Sequence, residues 1–216
     1  MLCLWLVGAT TRAADFDAMV DRWCAAQTNL QTWSANLIQT RSLKMLAQPL
    51  VAKGKVWMTM PNRFRWELGD PPQTIAVRQP EQLWLIYPKL KRAEKYPLGE
   101  AQTGPWKDSL ALLEASFPRN RSELAKHFQI LNLTQSNSVV TLTLQPKSAS
   151  ARKFMTEIQV SFGATDYLPT ATELKFSDGS SMRNDFTDSV LNAPLGPERF
   201  EVKLAPDFSV VEPLGR

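Results

Sequence analysis

Two hydrophobic periods divide the chain. Over residues 15–32 the apolar side chains Phe16, Met19, Val20, Trp23 and Cys24 recur every three or four positions, the spacing of one helix face, and Asp15 is placed to cap its start. At Trp33 the period shortens to two, with Trp33, Ala35 and Leu37 alternating with Ser34 and Asn36 as in a strand. From residue 53 to Leu98 that period persists. Lys55–Met60 runs into a Pro61-Asn62 turn, Phe64, Trp66 and Leu68 alternate with Arg65 and Glu67, and Gly69-Asp70-Pro71-Pro72 turns the chain again. Gln73–Val77, Leu83–Tyr87 and Arg92–Leu98 are the next predicted strands. Trp106–Phe117 and Arg121–Phe128 then predict two short helices around Pro118. Strands return with Val140, Leu142 and Leu144, with Phe154, Ile158, Val160 and Phe162, and with Leu174 and Phe176 leading into the hairpin signal Asp178-Gly179. Met182–Asp188 and the alternation of Phe200, Val202 and Leu204 complete the set.

This order predicts a mainly β fold of the α+β class: one strongly curved antiparallel sheet of about ten strands, with three helices on one side. A sheet of that size closes on itself or packs against a second layer, and three short helices are a thin cover for it. Val56, Met58 and Met60 share one strand face, Phe64, Trp66 and Leu68 the next, and Ile75, Val77, Leu83, Leu85 and Tyr87 continue the apolar surface. Two readings fit these residues. One is a sealed core, the usual fate of apolar strand faces. The other is a hollow with unfilled volume, favoured slightly by methionines beside large aromatics, because Met repacks around varied shapes.

Composition narrows the function classes. Twenty-five Lys and Arg against 21 Asp and Glu give +4, too small and too evenly spread to predict nucleic-acid binding. Residues 2–9 are apolar and Ala13-Ala14 are small, a pattern that predicts an export leader over 1–14 and a single domain over 15–216, although the basic segment that normally opens a leader is missing. Cys3 would leave with the leader, so Cys24 would have no disulfide partner.

Catalytic chemistry finds little support. His127 is the single histidine and has no ligand at metal spacing, so neither a metal nor a cofactor is expected. There is no G-x-S-x-G elbow and no phosphate-cradling glycine loop. The spacing of Asp185 and Asp188 fits solvated strand positions better than a catalytic carboxylate pair.

Several motifs together resemble the bacterial outer-membrane lipoprotein carriers of the LolA type and their receptor relatives of the LolB type. Trp33, Ala35, Leu37 and Gln39 match the family's first strand. Gly54, Val56, Trp57, Pro61, Asn62, Phe64 and Trp66 match, in order, its glycine-led strand, Pro-Asn turn and Phe-x-Trp block. Pro71, Gln73, Ile75 and Val77, then Leu83, Trp84 and Pro88, fit the strands that follow, and Leu144-Gln145-Pro146-Lys147 and Phe200, Pro206 and Val210 resemble later elements more loosely. The resemblance implies an incomplete antiparallel barrel whose concave face is covered by a helical lid. It also implies a non-enzymatic, monomeric periplasmic carrier that shields acyl chains in a hydrophobic cavity. Its cargo would be an acylated lipoprotein or another lipid, taken from an inner-membrane donor complex and passed to an outer-membrane acceptor through transient membrane contact.

On this reading Val56, Met58, Met60, Phe64, Trp66, Ile75, Val77, Leu83, Leu85 and Tyr87 line the lipid-binding hollow. Met19, Trp23, Leu110, Leu113 and Phe117 form the lid, where ordinary helix-on-sheet packing is the competing role. One departure stands out: Met60 occupies the position of the family arginine that holds the lid, so any latch here must differ. The alternative within the same fold is an interaction module similar to the periplasmic regulator RseB, which engages a protein partner. A hydrolase of acylated substrates would need His127 as its base and is the least supported reading.

Overall fold

The computed structural model describes residues 8–98, 117–118 and 120–213, and side chains from residue 15 onward. Helix α1 (Gly8–Thr28) begins within the predicted leader and ends four residues before the predicted helix limit at residue 32. Twelve strands follow among the described residues: β1 (Thr32–Ser42), β2 (Leu50–Thr59), β3 (Arg63–Leu68), β4 (Thr74–Gln79), β5 (Gln82–Tyr87), β6 (Arg92–Pro97), β7 (Phe128–Ser136), β8 (Val139–Pro146), β9 (Met155–Gly163), β10 (Pro169–Phe176), β11 (Ser181–Leu191) and β12 (Ser209–Val211). Between them lie α2 (Arg121–His127) and the single turn α3 (Ala149–Arg152). The predicted helix at Trp106–Phe117, with Leu110, Leu112 and Leu113, falls outside the described residues except for Phe117.

All twelve strands belong to one sheet in the order β12-β6-β5-β4-β3-β2-β1-β11-β10-β9-β8-β7. Every pairing is antiparallel except β12 against β6. The sheet does not close, because its terminal strands β12 and β7 are not neighbours. Its midline is the long-range pairing of β1 with β11, in which Leu37 faces Phe186 and Gln39 faces Asn184. A buried polar ladder marks this midline: Gln39 Nε2 donates to Asn184 Oδ1 at 3.0 Å, and Asn184 Nδ2 donates to Thr172 Oγ1 at 3.2 Å.

The ladder separates two apolar clusters on the same, inner face. On the β7–β10 side, Val140, Leu142, Leu144, Ile158, Val160 and Phe162 are covered by Val20, Trp23 and Cys24 of α1 and Leu124 of α2. The Trp23 ring lies flat on Phe162, centroids 4.9 Å apart. Arg121 of α2 pairs with Asp17 of α1 at 2.5 Å, tying the two covering helices together. Asn120 caps α2 by accepting from the Glu123 N–H at 2.8 Å.

The second cluster, on β1–β6, is the candidate site. Gly54 matters to it because strands β2 and β3 approach closely there. A Cβ at this position would lie 2.0 Å from the Glu67 carbonyl oxygen, so only glycine keeps the β2–β3 ladder intact.

The structure departs from the expected strands in two places. Phe200, Val202 and Leu204 alternate but form no strand. Pro197–Phe200 is a 3-10 turn, and Val202, Leu204 and Phe208 pack as a cover on the outer face over Val77, Ile86 and Ala93. Conversely, β7 and β12 are strands that the apolar pattern did not show. β7 is mostly exposed, with Gln129, Asn132, Thr134 and Gln135 in a terminal strand, so its pattern carries little hydrophobic signal.

Cys24 sits inside the α1 cluster. Burial pushes its thiol up to about 11, the Asp21 charge adding to the rise and Arg121 opposing it. The raised value favours the neutral thiol in the fold. Its stabilising contribution is complete below the ordinary thiol value of about 8.5 and is lost as pH climbs through about 11. In a Cys3→Ser protein at pH 8, a thiol reagent should therefore modify Cys24 only as fast as the fold opens. Immediate stoichiometric labelling of native protein would contradict this environment.

Candidate functional site

The inner face of β1–β6 is built from cross-strand rows. Trp33, Met58, Phe64, Arg78, Leu83 and Tyr96 face one another in one row, from β1 across to β6. Ala35, Val56, Trp66, Ala76, Leu85 and Glu94 form the next. Strand alternation puts every member of a row on one side of the sheet. The result is an apolar surface centred on Val56, Met58, Phe64 and Leu83, with Met60, Trp66, Leu68 and Leu85 at its margin.

Aromatic rings brace its midline side. Trp33 meets the edge of Phe186 at 5.0 Å, and Phe186 in turn meets Trp66 edge-on at 6.0 Å. Phe117, the described end of the predicted lid segment, lies 5.2 Å from Trp33. The indole Nε1 of Trp33 donates to Ser189 Oγ at 3.2 Å, which fixes that ring.

The surface becomes polar toward β6. Glu94 accepts from Tyr96 Oη at 2.7 Å and from Arg92 Nη2 at 2.8 Å. Burial, reinforced by the bond to Glu94, holds the Tyr96 hydroxyl well above its usual range. Burial likewise raises Tyr87, with the Glu94 charge adding and Arg92 opposing. Arg78 places a guanidinium within the apolar row, between Phe64 and Leu83, and its Nε is buried.

Of the ten residues expected to line a hollow, the structure gathers Val56, Met58, Met60, Phe64, Trp66, Leu83 and Leu85 into this cluster. Tyr87 lies on the same face of β5 at its polar end, opposite Arg92. Ile75 and Val77 do not belong. Their neighbours in register place Ala76 and Arg78 inside, so Ile75 and Val77 point outward and pack with Ile86, Trp84 and the 202–208 cover.

The lid expectation also divides. Met19 and Trp23 pack over β7–β10 and not over Phe64 and Trp66, so α1 is a core helix of the other half. Leu110 and Leu113 lie outside the described residues. Sequence reasoning left out Trp33, Leu37, Tyr96 and Phe186. The alternation at Trp33-x-Ala-x-Leu was the available signal for the first two, whereas Phe186 joins only through the β1–β11 pairing.

Ile75 lines a different feature, an outer-face cleft of about 380 Å³ with Ile86, Leu204 and Phe208 as its apolar floor. Two pairs lie on its charged rim: Arg65 bonds Glu67 at 2.5 Å, and Lys203 bonds Glu201 at 2.9 Å, while Arg199 stacks over the Trp57 ring at 4.7 Å. His127 is exposed at the end of α2, its ring 6.4 Å from that of Phe128. Among the described residues no group of three His, Cys, Asp or Glu could hold a metal ion, and no helix is long and apolar enough to cross a membrane.

An open single sheet with two apolar clusters on one face, one roofed by helices and the other built of Phe-x-Trp rows, defines the half-barrel class of β proteins. Within that class, residues 28–203 match the family model described as outer membrane lipoprotein carrier protein LolA, and the chain belongs to this family. The outer-membrane lipoprotein carrier protein of Pseudomonas aeruginosa is 23% identical over 208 residues, covering 95% of this chain and 93% of that protein. The protein of the same name from Coxiella burnetii is 27% identical over 159 residues, covering 74% and 70%. The fold is shared with an uncharacterized conserved protein from Thermus thermophilus at a TM-score of 0.51 and 10% identity, covering 93% of this chain and 99% of that one.

Proposed function

We propose that the protein is a periplasmic carrier that shields the acyl chains of lipoproteins, or of related lipids, on the inner face of β1–β6 and delivers them to the outer membrane. One observation supports this most strongly. The described helices α1 and α2 gather on the β7–β10 half, while the face carrying Val56, Met58, Phe64, Trp66, Leu83 and Leu85 is lined by adaptable and aromatic side chains. Membership of a family of lipoprotein carriers points the same way.

The physical case rests on acyl-chain solvation. Each methylene moved from water to an apolar surface gains about 0.8 kcal/mol, so a multi-chain anchor does not cross water uncovered. A carrier must cover the chains yet release them. It can do so if the surface exchanges its own apolar contacts for those of the ligand, leaving little net burial. Met58 and Met60 suit such exchange because their unbranched side chains repack around different shapes. This work is binding and transfer, without a covalent step. The donor would be an inner-membrane complex and the acceptor an outer-membrane one. The cargo would occupy Val56, Met58, Met60, Phe64, Trp66, Leu83, Leu85 and Tyr87.

Protein purified from the native periplasm without denaturant or detergent should yield acylated material on solvent extraction, identified by mass spectrometry. Absence of any acyl species, together with failure of the emptied protein to take up an acylated lipoprotein from a detergent-free donor, would reject the carrier reading.

A further inference from the structure

Antiparallel pairing sends successive connections to alternate ends of the sheet. The β1–β2, β3–β4 and β5–β6 connections share one end, and the β2–β3 and β4–β5 turns share the other. The first end carries large apolar side chains with no core to enter. On the β1–β2 hairpin Met45 is 95% exposed, Val51 62% and Leu50 50%, and Leu46 beside them is also exposed. On the β5–β6 turn Leu90 is 72% exposed. The β2–β3 and β4–β5 turns carry none of the exposed large apolar residues, and the latter carries Glu81.

The hairpin also projects. The last β2–β3 pair is Gly54 with Leu68, and the Gly69 N–H closes the ladder on Lys53 O at 2.7 Å. Leu50, Val51 and Ala52 therefore stand clear of β3, paired only to β1.

Charge at this end has one dominant sign. Arg41, Lys44 and Lys53 are exposed on the hairpin, and Lys89, Lys91 and Arg92 surround Leu90. No Asp or Glu occurs between Ile38 and Trp66. Among the described residues the acidic groups facing these cations are few: Asp178 acts on Lys44, Asp207 pairs with Lys91 at 2.5 Å, Glu94 pairs with Arg92, and Asp70 sits on the β3–β4 turn. The chain as a whole is only +4, so this concentration is local.

Apolar side chains at a projecting tip, ringed by Lys and Arg, match the headgroup–acyl boundary of a bilayer rather than water. We infer that this end of the sheet rests reversibly on membranes containing anionic lipids, with Met45, Leu46, Val51 and Leu90 entering the interface and the surrounding cations on the headgroups. The inference does not depend on the cargo reading, since it uses a different surface and a different ligand. The contact is weak by construction. Each cation near an anionic surface contributes roughly fivefold in affinity, and a few small apolar insertions fall far short of a stable anchor.

The test is flotation of the whole chain with vesicles of phosphatidylethanolamine and phosphatidylglycerol at low salt. Binding is expected, is expected to fall steeply as salt screens it, and is expected to be weak to phosphatidylcholine alone. Lys44→Gln with Lys53→Gln should weaken it about 25-fold, and Met45→Asp with Leu46→Asp at least about tenfold. Melting curves of these variants should match the parent, because the replaced side chains are exposed. A second measurement places the tip directly. In a Cys3→Ser background, Met45→Cys carrying an environment-sensitive dye should shift to the blue on these vesicles, with buried Cys24 left unlabelled. The inference is overturned if the parent fails to float at low salt, if the variants float equally well, or if the dye at residue 45 remains in water. It is equally overturned if the substitutions disrupt a protein complex while vesicle binding is unchanged.

Discussion

Trp66→Glu should abolish binding of an acyl ligand while the fold survives. Trp66 stands in the row between Val56 and Ala76 on the inner face, and it is only partly buried at the margin of the cluster. A carboxylate there would have to be stripped of water by any acyl chain lying on Phe64 and Leu85. Without a compensating partner that costs at least about 3 kcal/mol, which is a loss of about 100-fold or more in affinity. Because the side chain is not sealed in the unliganded protein, the charge keeps access to water there and the stability cost is smaller. Displacement of an apolar fluorescent dye measures the first effect, and far-ultraviolet dichroism with a thermal melt measures the second. Ile75→Gln provides the contrast: it alters a side chain of similar exposure on the outer face and should leave binding unchanged. Equal dye affinity in Trp66→Glu and the parent would remove the inner face of β1–β6 as the ligand site. Should Trp66→Glu fail to fold, Trp66→Ser poses the same question without a charge.

Trp23→Ala should have the opposite profile, with a large loss of stability and little change in ligand affinity per folded molecule. Trp23 is fully buried, stacked on Phe162, and surrounded by Val140, Leu142 and Val160. Truncating a buried Trp to Ala costs about 3–5 kcal/mol, a large share of the roughly 5–15 kcal/mol that holds a domain folded. For a chain of this size the melting temperature should fall by on the order of 10 °C. Trp23→Phe keeps a ring on Phe162 and should cost much less. If Trp23→Ala instead left the melting temperature unchanged and altered dye binding, α1 would be a movable cover after all.

The β2–β3 region shows how far alternation alone can carry a reading. Within one strand the period of two settles which residues are on the same side, so Val56 with Met58 and Phe64 with Trp66 were readable, as was Arg65 pointing away. Across a turn the phase is lost. At Gly69–Gln73 hydrophobicity favoured Ile75 and Val77 as the inner pair, yet register with β3 puts Ala76 and Arg78 there. The difference has a physical cause: the 202–208 segment packs on the outer face of β4, so Ile75 and Val77 are apolar there, while the inner face of that strand carries only Ala76 and Arg78. The outer cover itself, Val202, Leu204 and Phe208, has the alternation of a strand because it lies extended along the sheet, but it lacks a pairing partner.

The amino-acid order by itself determined the local periods: a helix ahead of a long run of strands, the glycine at position 54, and an apolar Phe-x-Trp block with few groups fit for catalysis. Tertiary structure decided which face each strand presents, that α1 roofs β7–β10 instead of β1–β6, and that Phe186 comes to lie against Trp33 and Trp66. Those outcomes depend on pairings between distant segments, above all β1 with β11. A local period records only neighbours along one strand and contains no term for the partner that a strand meets when the sheet assembles.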